Sequence, residues 1–190
     1  HYSSKRGLLE FVQLLVEAGC CVNSTNWGGN TALLIACRFG HLEVVRYLLE
    51  NGASFDINNK LGHYPVHYGA LYDDGSVVQT LLDFGARADP PTFCGVTPIM
   101  LACERKNCAV VSILAPMSDL NSHEKLCGRT VLHWAVNCGC LHCVSTIINN
   151  GASLNVTDSS GRTPLIQAVI SNKPGVIALL LQNITSQTSG

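Results

Sequence analysis

The chain has 190 residues, with 12 Lys and Arg against 13 Asp and Glu, for a formal net charge of -1. That balance argues against nucleic acid as the main ligand, because phosphate binding needs a concentrated excess of Lys and Arg. Hydrophobic residues at 47% and charged residues at 13% exclude a disordered segment, and no apolar run is long enough for membrane insertion.

The first predicted element is the apolar pattern of Gly7 to Leu15, a helix stopped at Gly19, with residues 1–6 as the tail of a helix before it. From there the sequence repeats. Gly29, Gly62, Gly95, Gly128 and Gly161 stand 33 residues apart, each followed two places later by Thr31, Tyr64, Thr97, Thr130 and Thr163. Paired apolar residues keep the same register: Val44-Val45, Val77-Val78, Val110-Val111, Cys143-Val144 and Val176-Ile177. Each unit reads as a helix with a threonine N-cap, a break at a residue such as Gly40 or Gly139, a second amphipathic helix, and a polar loop to the next unit. No helix pair buries its apolar stripe alone, so the units must stack.

The boundaries predicted are a partial repeat over 1–25, full repeats over 26–58, 59–91, 92–124, 125–157 and 158–184, and a tail over 185–190, all in a single domain. The second unit departs from the pattern at Tyr64 and at Asp73-Asp74-Gly75, where a shifted turn is expected. In the third, Pro116 falls inside the second helix and should end it near Leu114. The apolar run Val176 to Leu181 and the truncated start lead to the expectation that the natural protein continues on both sides, with flanking domains.

The stretch from Gly29 to Ala53 resembles the ankyrin repeat almost position for position, and Thr97-Pro98, Thr130-Val-Leu-His133 and Thr163-Pro-Leu165 echo the family's Thr-Pro-Leu-His signature. The resemblance implies an all-α solenoid of helix-turn-helix units with projecting hairpin-like loops. It also implies that His67 and His133 bond within and between hairpin turns. The family's concave face is made of loop tips and the exposed sides of the first helices. The register places Trp27, Arg38, Leu61, His63, Tyr68, Phe93, Glu104, Leu126, Arg129, Trp134 and Arg162 there. Large aromatics and arginines at positions that stacking does not require point to anchors for a partner.

The function expected is therefore a protein–protein interaction module that binds a peptide or protein partner of unknown identity. It would recruit that partner to a larger multidomain protein, as in ubiquitin-ligase substrate recruitment or a signalling scaffold. A regulatory domain of an enzyme or channel is the alternative, and a metal or redox protein a remote one. No enzyme activity is expected, since no phosphate loop or nucleophile–base–orienter set is present. The ten cysteines, several following alanine in helical runs, read mostly as reduced packing residues and favour the cytoplasm or nucleus. His133, Cys138, Cys140, His142 and Cys143 are the one cluster with zinc-like composition. Their register positions point apart, so no metal and no cofactor is expected.

Overall fold

A computed structural model describes residues 1–72 and 74–188. The chain, read above as a single domain, divides into two compact units, His1–Phe93 and Cys94–Gly190. The first contains α1 (Tyr2–Arg6), α2 (Leu9–Glu17), α3 (Ala32–Arg38), α4 (Leu42–Glu50), α5 (Pro65–Tyr72) and α6 (Ser76–Asp83). The second contains α7 (Pro98–Glu104), α8 (Cys108–Leu114), a 3-10 turn at Ala115–Met117, α9 (Val131–Cys138), α10 (Leu141–Asn149), α11 (Pro164–Ile170) and α12 (Pro174–Thr188). No strand occurs among the described residues.

Helix starts follow the chemistry of the sequence. The Thr31 hydroxyl accepts from the Leu34 N–H at 3.2 Å and the Thr163 hydroxyl from the Ile166 N–H at 3.3 Å, each satisfying a donor the helix leaves open. Thr97 occupies the same extended N-cap position, but its hydroxyl makes no bond to the helix. Pro116 ends α8 at Leu114, because it supplies no N–H for a further turn. Beside Asp74 and Gly75 the helix starts one residue late while the register holds: α6 begins at Ser76, where α4 plus 33 would begin at position 75, yet it buries Val77 and Val78 and ends at Asp83 in step with α4. Asp73 lies outside the described residues. α12 runs to Thr188, so the tail expected from position 185 is helical through Thr188.

Within each unit like helices stack on like. In the first, α3 packs between α1 and α5, and α4 between α2 and α6. In the second, α9 packs between α7 and α11, and α10 between α8 and α12. The stripes they bury are Leu33, Leu34, Val45 and Leu48 in the first unit, and Met100, Val111, Leu132, Val144 and Ile147 in the second. Of the cysteines, Cys37, Cys103 and Cys143 pack as buried apolar residues. Four others, Cys20, Cys21, Cys94 and Cys127, are exposed, so fewer thiols serve as packing than the composition suggests.

The loops between repeats are folded by side-chain acceptors. Asn26 Oδ1 takes the N–H groups of Gly28 and Asn30, Asn59 Oδ1 those of Leu61 and His63, and Asp158 Oδ1 those of Ser160 and Arg162, all at 2.9–3.0 Å. Before the fourth repeat the acceptor is Glu124, one residue earlier in register; its longer side chain reaches the N–H groups of Leu126, Cys127 and Arg129. Each folded loop then bonds to its neighbour, through Lys60 N–H to the Gly28 carbonyl in the first unit and Lys125 N–H to the Cys94 carbonyl in the second. Gly62 shows how close this approach is. Its φ is +81°, and a Cβ there would lie 2.5 Å from the Phe93 nitrogen.

If stacking supplies the stability, Leu132→Ala (0% exposed) should destabilise the second unit by about 2–5 kcal/mol. Leu126→Ala at a loop tip (74% exposed) should change stability by no more than about 0.5 kcal/mol. Urea unfolding followed by far-UV circular dichroism separates the two.

Candidate functional site

In the first unit the loop tips present bare apolar surface: Trp27 is 96% exposed, and Leu61 and Phe93 are exposed beside their own turns. Two residues expected with them are not presented. Tyr68 is only 8% exposed, its hydroxyl accepting from Asn59 Nδ2 at 2.9 Å, its ring stacked on His63 at 5.5 Å and lying 5.7 Å from the Arg38 guanidinium carbon. His63 is half-buried against Tyr68 and His67, and burial pushes its imidazole below the ordinary value. Both are packing residues, because the turn that Asn59 folds draws them inward. Arg38 remains exposed, with Asn26, Asn30, Ile35 and Phe39 around a shallow pocket of about 220 Å³.

In the second unit, three of the expected residues converge. Glu104 at the end of α7, Arg129 from the loop and Trp134 on α9 line a pocket of about 250 Å³ with Asn137 and Cys138. Trp134 Nε1 and Arg129 Nε are both shielded from solvent, and neither has a hydrogen-bond partner. Leaving a buried donor unsatisfied costs roughly 1–3 kcal/mol. The exposed Glu104 carboxylate gives the pocket a charged side and the Trp134 indole an apolar one. Leu126 is exposed at the tip of the same loop as Arg129. Arg162, by contrast, belongs to its own loop: its guanidinium pairs with Asp158 at 2.8 and 2.9 Å, so it is not offered to a partner.

The histidines at the signature position are architecture. The Thr130 N–H donates to His133 Nδ1 at 3.3 Å, which leaves the proton on Nε2, and Nε2 donates to the Arg162 carbonyl at 2.9 Å. His133 thereby ties α9 to the next loop as a neutral ring. Burial pushes its imidazole below 6.5, outweighing the opposite pull of the Arg162 carbonyl and Asp158. In the first unit His67 makes the corresponding local bond, its Nδ1 accepting the Tyr64 N–H at 3.1 Å.

The zinc-like cluster separates in an unexpected way. Cys138 turns back to donate to its own Ala135 carbonyl at 3.0 Å, and His133 is occupied as described. Cys140, at the N-cap of α10, and Cys143, two residues inside it, do converge, contrary to the reading that their positions point apart. The third member is Cys108 from the preceding repeat, at the start of α8. Its Sγ lies 3.4 Å from that of Cys140 and 3.6 Å from that of Cys143. Burial pushes the Cys140 thiol up, but the N–H groups of Cys143 and His142 and the two neighbouring thiols outweigh it and bring it below the ordinary value. Cys143, buried beneath, is pushed up.

A family model for ankyrin repeats in three copies matches residues 1–60 and 99–188. The chain belongs to the ankyrin-repeat family. Ankyrin repeats generally mediate protein–protein interaction, and ankyrin-repeat proteins are typically not catalytic. A B-cell lymphoma 3 protein homolog of Mus musculus is 36% identical over 95 residues, 46% of this chain and 20% of the relative. The Neurogenic locus Notch protein of Drosophila melanogaster is 32% identical over 106 residues, 47% of this chain and 4% of the relative. The E3 ubiquitin-protein ligase XBAT33 of Arabidopsis thaliana is 51% identical over 41 residues, 22% of this chain and 8% of the relative. The chain thus spans a fifth or less of the length of each. Among the described residues, no helix of this ankyrin-repeat chain is long and apolar enough to cross a membrane.

The loop that carries Arg162 titrates in two windows. His133 is held below 6.5, so its contribution to stability is full above pH 6.5 and is lost as pH falls through the lower folded value. Burial pushes Asp158 up, but Arg162 and the loop N–H groups outweigh it and hold its carboxyl at about 2, against an ordinary 3.8. That contribution is full above pH 3.8 and is lost as pH falls toward 2. Melting temperatures measured from pH 8 down to pH 2 should therefore fall in two steps. His133→Gln should reduce the upper step, leaving the part contributed by the likewise lowered His63, and an unchanged upper step would contradict this assignment.

Proposed function

We propose that this chain is a recruitment module that holds an extended peptide or protein segment against its loop tips and first-helix sides. It would present that segment to the rest of a longer protein. The observation that carries the reading is the pocket of Glu104, Arg129 and Trp134 with its two buried donors lacking partners. The ligand that fits has a carbonyl or carboxylate to accept from Trp134 Nε1 and Arg129 Nε, an apolar side chain against the indole, and a basic group for Glu104. The exposed tips Trp27, Leu61, Phe93 and Leu126 add apolar anchors, each within its own unit. Recruitment of a ubiquitylation substrate is one version, supported by the likeness to plant ubiquitin ligases over 41 residues. Assembly of a signalling complex is the other version. Buried thiols used as packing, such as Cys37 and Cys103, favour the cytoplasm or nucleus for either.

A displayed peptide library selected on the chain supplies the probe. Trp134→Ala should weaken the selected peptides by about 30-fold, equivalent to about 2 kcal/mol, with the helical signal retained. Trp134→Phe, which keeps an aromatic wall but removes the N–H donor, should weaken them several-fold. Phe84→Ala, exposed at the end of a second helix, should leave affinity unchanged. Peptides that bind both Trp134 variants as tightly as the unaltered chain would place the partner surface elsewhere.

A further inference from the structure

We infer that Cys108, Cys140 and Cys143 form a binding site for a single soft metal ion, of the zinc or copper(I) class, held by three thiolates. The three sulfurs lie within 4.8 Å of one another, with two of the separations at 3.4 and 3.6 Å. A zinc–thiolate bond of about 2.3 Å in tetrahedral geometry places ligand sulfurs about 3.8 Å apart. Small side-chain rotations are therefore enough to bring all three onto one ion. No other side chain has to move, since Cys138 is engaged with its own helix and His133 with the Arg162 loop.

Stacking does not explain why these positions hold cysteine. In the first two full repeats the corresponding residues are Leu42, Asp74 and Val77, and in the last two they are Leu141, Lys173 and Val176. Ordinary apolar and polar residues serve the same packing there. Only at the junction of the third and fourth repeats do three thiols coincide. The backbone that holds them is set by α8 packing on α10, so the separations depend on rigid elements and not on a loop. Access suits an ion from solvent. Cys143 is buried at the base, while Cys108 and Cys140 are half-buried at the mouth. Lys173 lies along Gly139, next to Cys140, and its positive charge offsets part of the excess negative charge of three thiolates.

The donor set selects the ligand class. Three thiolates are soft, which favours zinc or copper(I) over magnesium or calcium. Zinc would complete four-coordination with a water or with a thiolate or imidazole from a bound partner, and copper(I) needs no fourth ligand. On binding, each thiol gives its proton to solvent, and no electron is transferred.

The test uses the 190-residue chain, reduced and stripped of metal. It is titrated in one arm with cobalt(II), as a spectroscopic stand-in for zinc, and in the other with copper(I). One equivalent of at least one ion should bind; for cobalt, sulfur-to-metal charge-transfer bands should appear and disappear on adding zinc. A copper arm that saturates while the cobalt arm stays silent assigns the site to copper. Cys108→Ser and Cys140→Ser should each weaken binding by at least about 10-fold, whereas Cys127→Ser and the pair Cys20→Ser with Cys21→Ser should not. As a reading that needs no variant, the bound ion should shield Cys108 and Cys140, but not Cys127, from alkylation followed by mass spectrometry. Failure of both ions to bind, binding that survives Cys108→Ser in a folded chain, or protection confined to Cys20 and Cys21 would overturn the inference.

Discussion

Among the described residues no helix from α2 to α11 exceeds nine residues, and isolated helices shorter than about 12–15 residues are marginal in water. Pairing two of them does not remove the difficulty, because one apolar stripe of the pair still faces water. Contact with the next pair is therefore the constraint on which everything else rests. Leu132 and Val144 are fully buried only because α9 and α10 have neighbours on both sides within their unit. The period of 33 is the consequence: a residue can be buried in every unit only if the units repeat in register.

That register also determines where chemistry can arise. Positions that face the neighbouring pair are restricted to residues that pack, and positions at loop tips and on the outer side of first helices are left open. Trp27, Phe93 and Leu126 occupy the same tip position in the first, third and fourth repeats, while the second has Lys60 there and the fifth Ser159. Four of the turns fold themselves through Asn26, Asn59, Glu124 and Asp158, so tip side chains there are free to vary without loss of the turn. The pocket at Trp134 uses that freedom, with donors supplied by a loop and a helix that are each held in place by other residues.

Much of this was legible in the sequence because periodicity is a local signal. The helices, the early stop at Pro116 and the shifted turn before Ser76 follow from spacing and from the backbone limits of proline and glycine. Tyr68, His63 and Arg162 did not follow, because the register gives the direction of a backbone position but not what a side chain finds there. Asn59 and Asp158 draw them inward, and that depends on side-chain hydrogen bonds spanning 4 to 9 residues. The thiol cluster was missed for a different reason. Its members were sought within one stretch of the fourth repeat, while the third ligand, Cys108, lies 32 residues before Cys140. Adding one period to Cys108 would have placed it beside Cys140 and Cys143, and that was the signal available.

The dependence of each helix pair on its neighbours is tested most directly by isolating one. A synthetic peptide of residues 125–157, containing α9 and α10 with their loop, should show a far-UV circular dichroism spectrum with little helix at 25 °C. The full chain under the same conditions should be predominantly helical. A peptide with helix content close to that of the same residues in the chain would mean that a single pair is stable alone, and that stacking is not what holds this fold together.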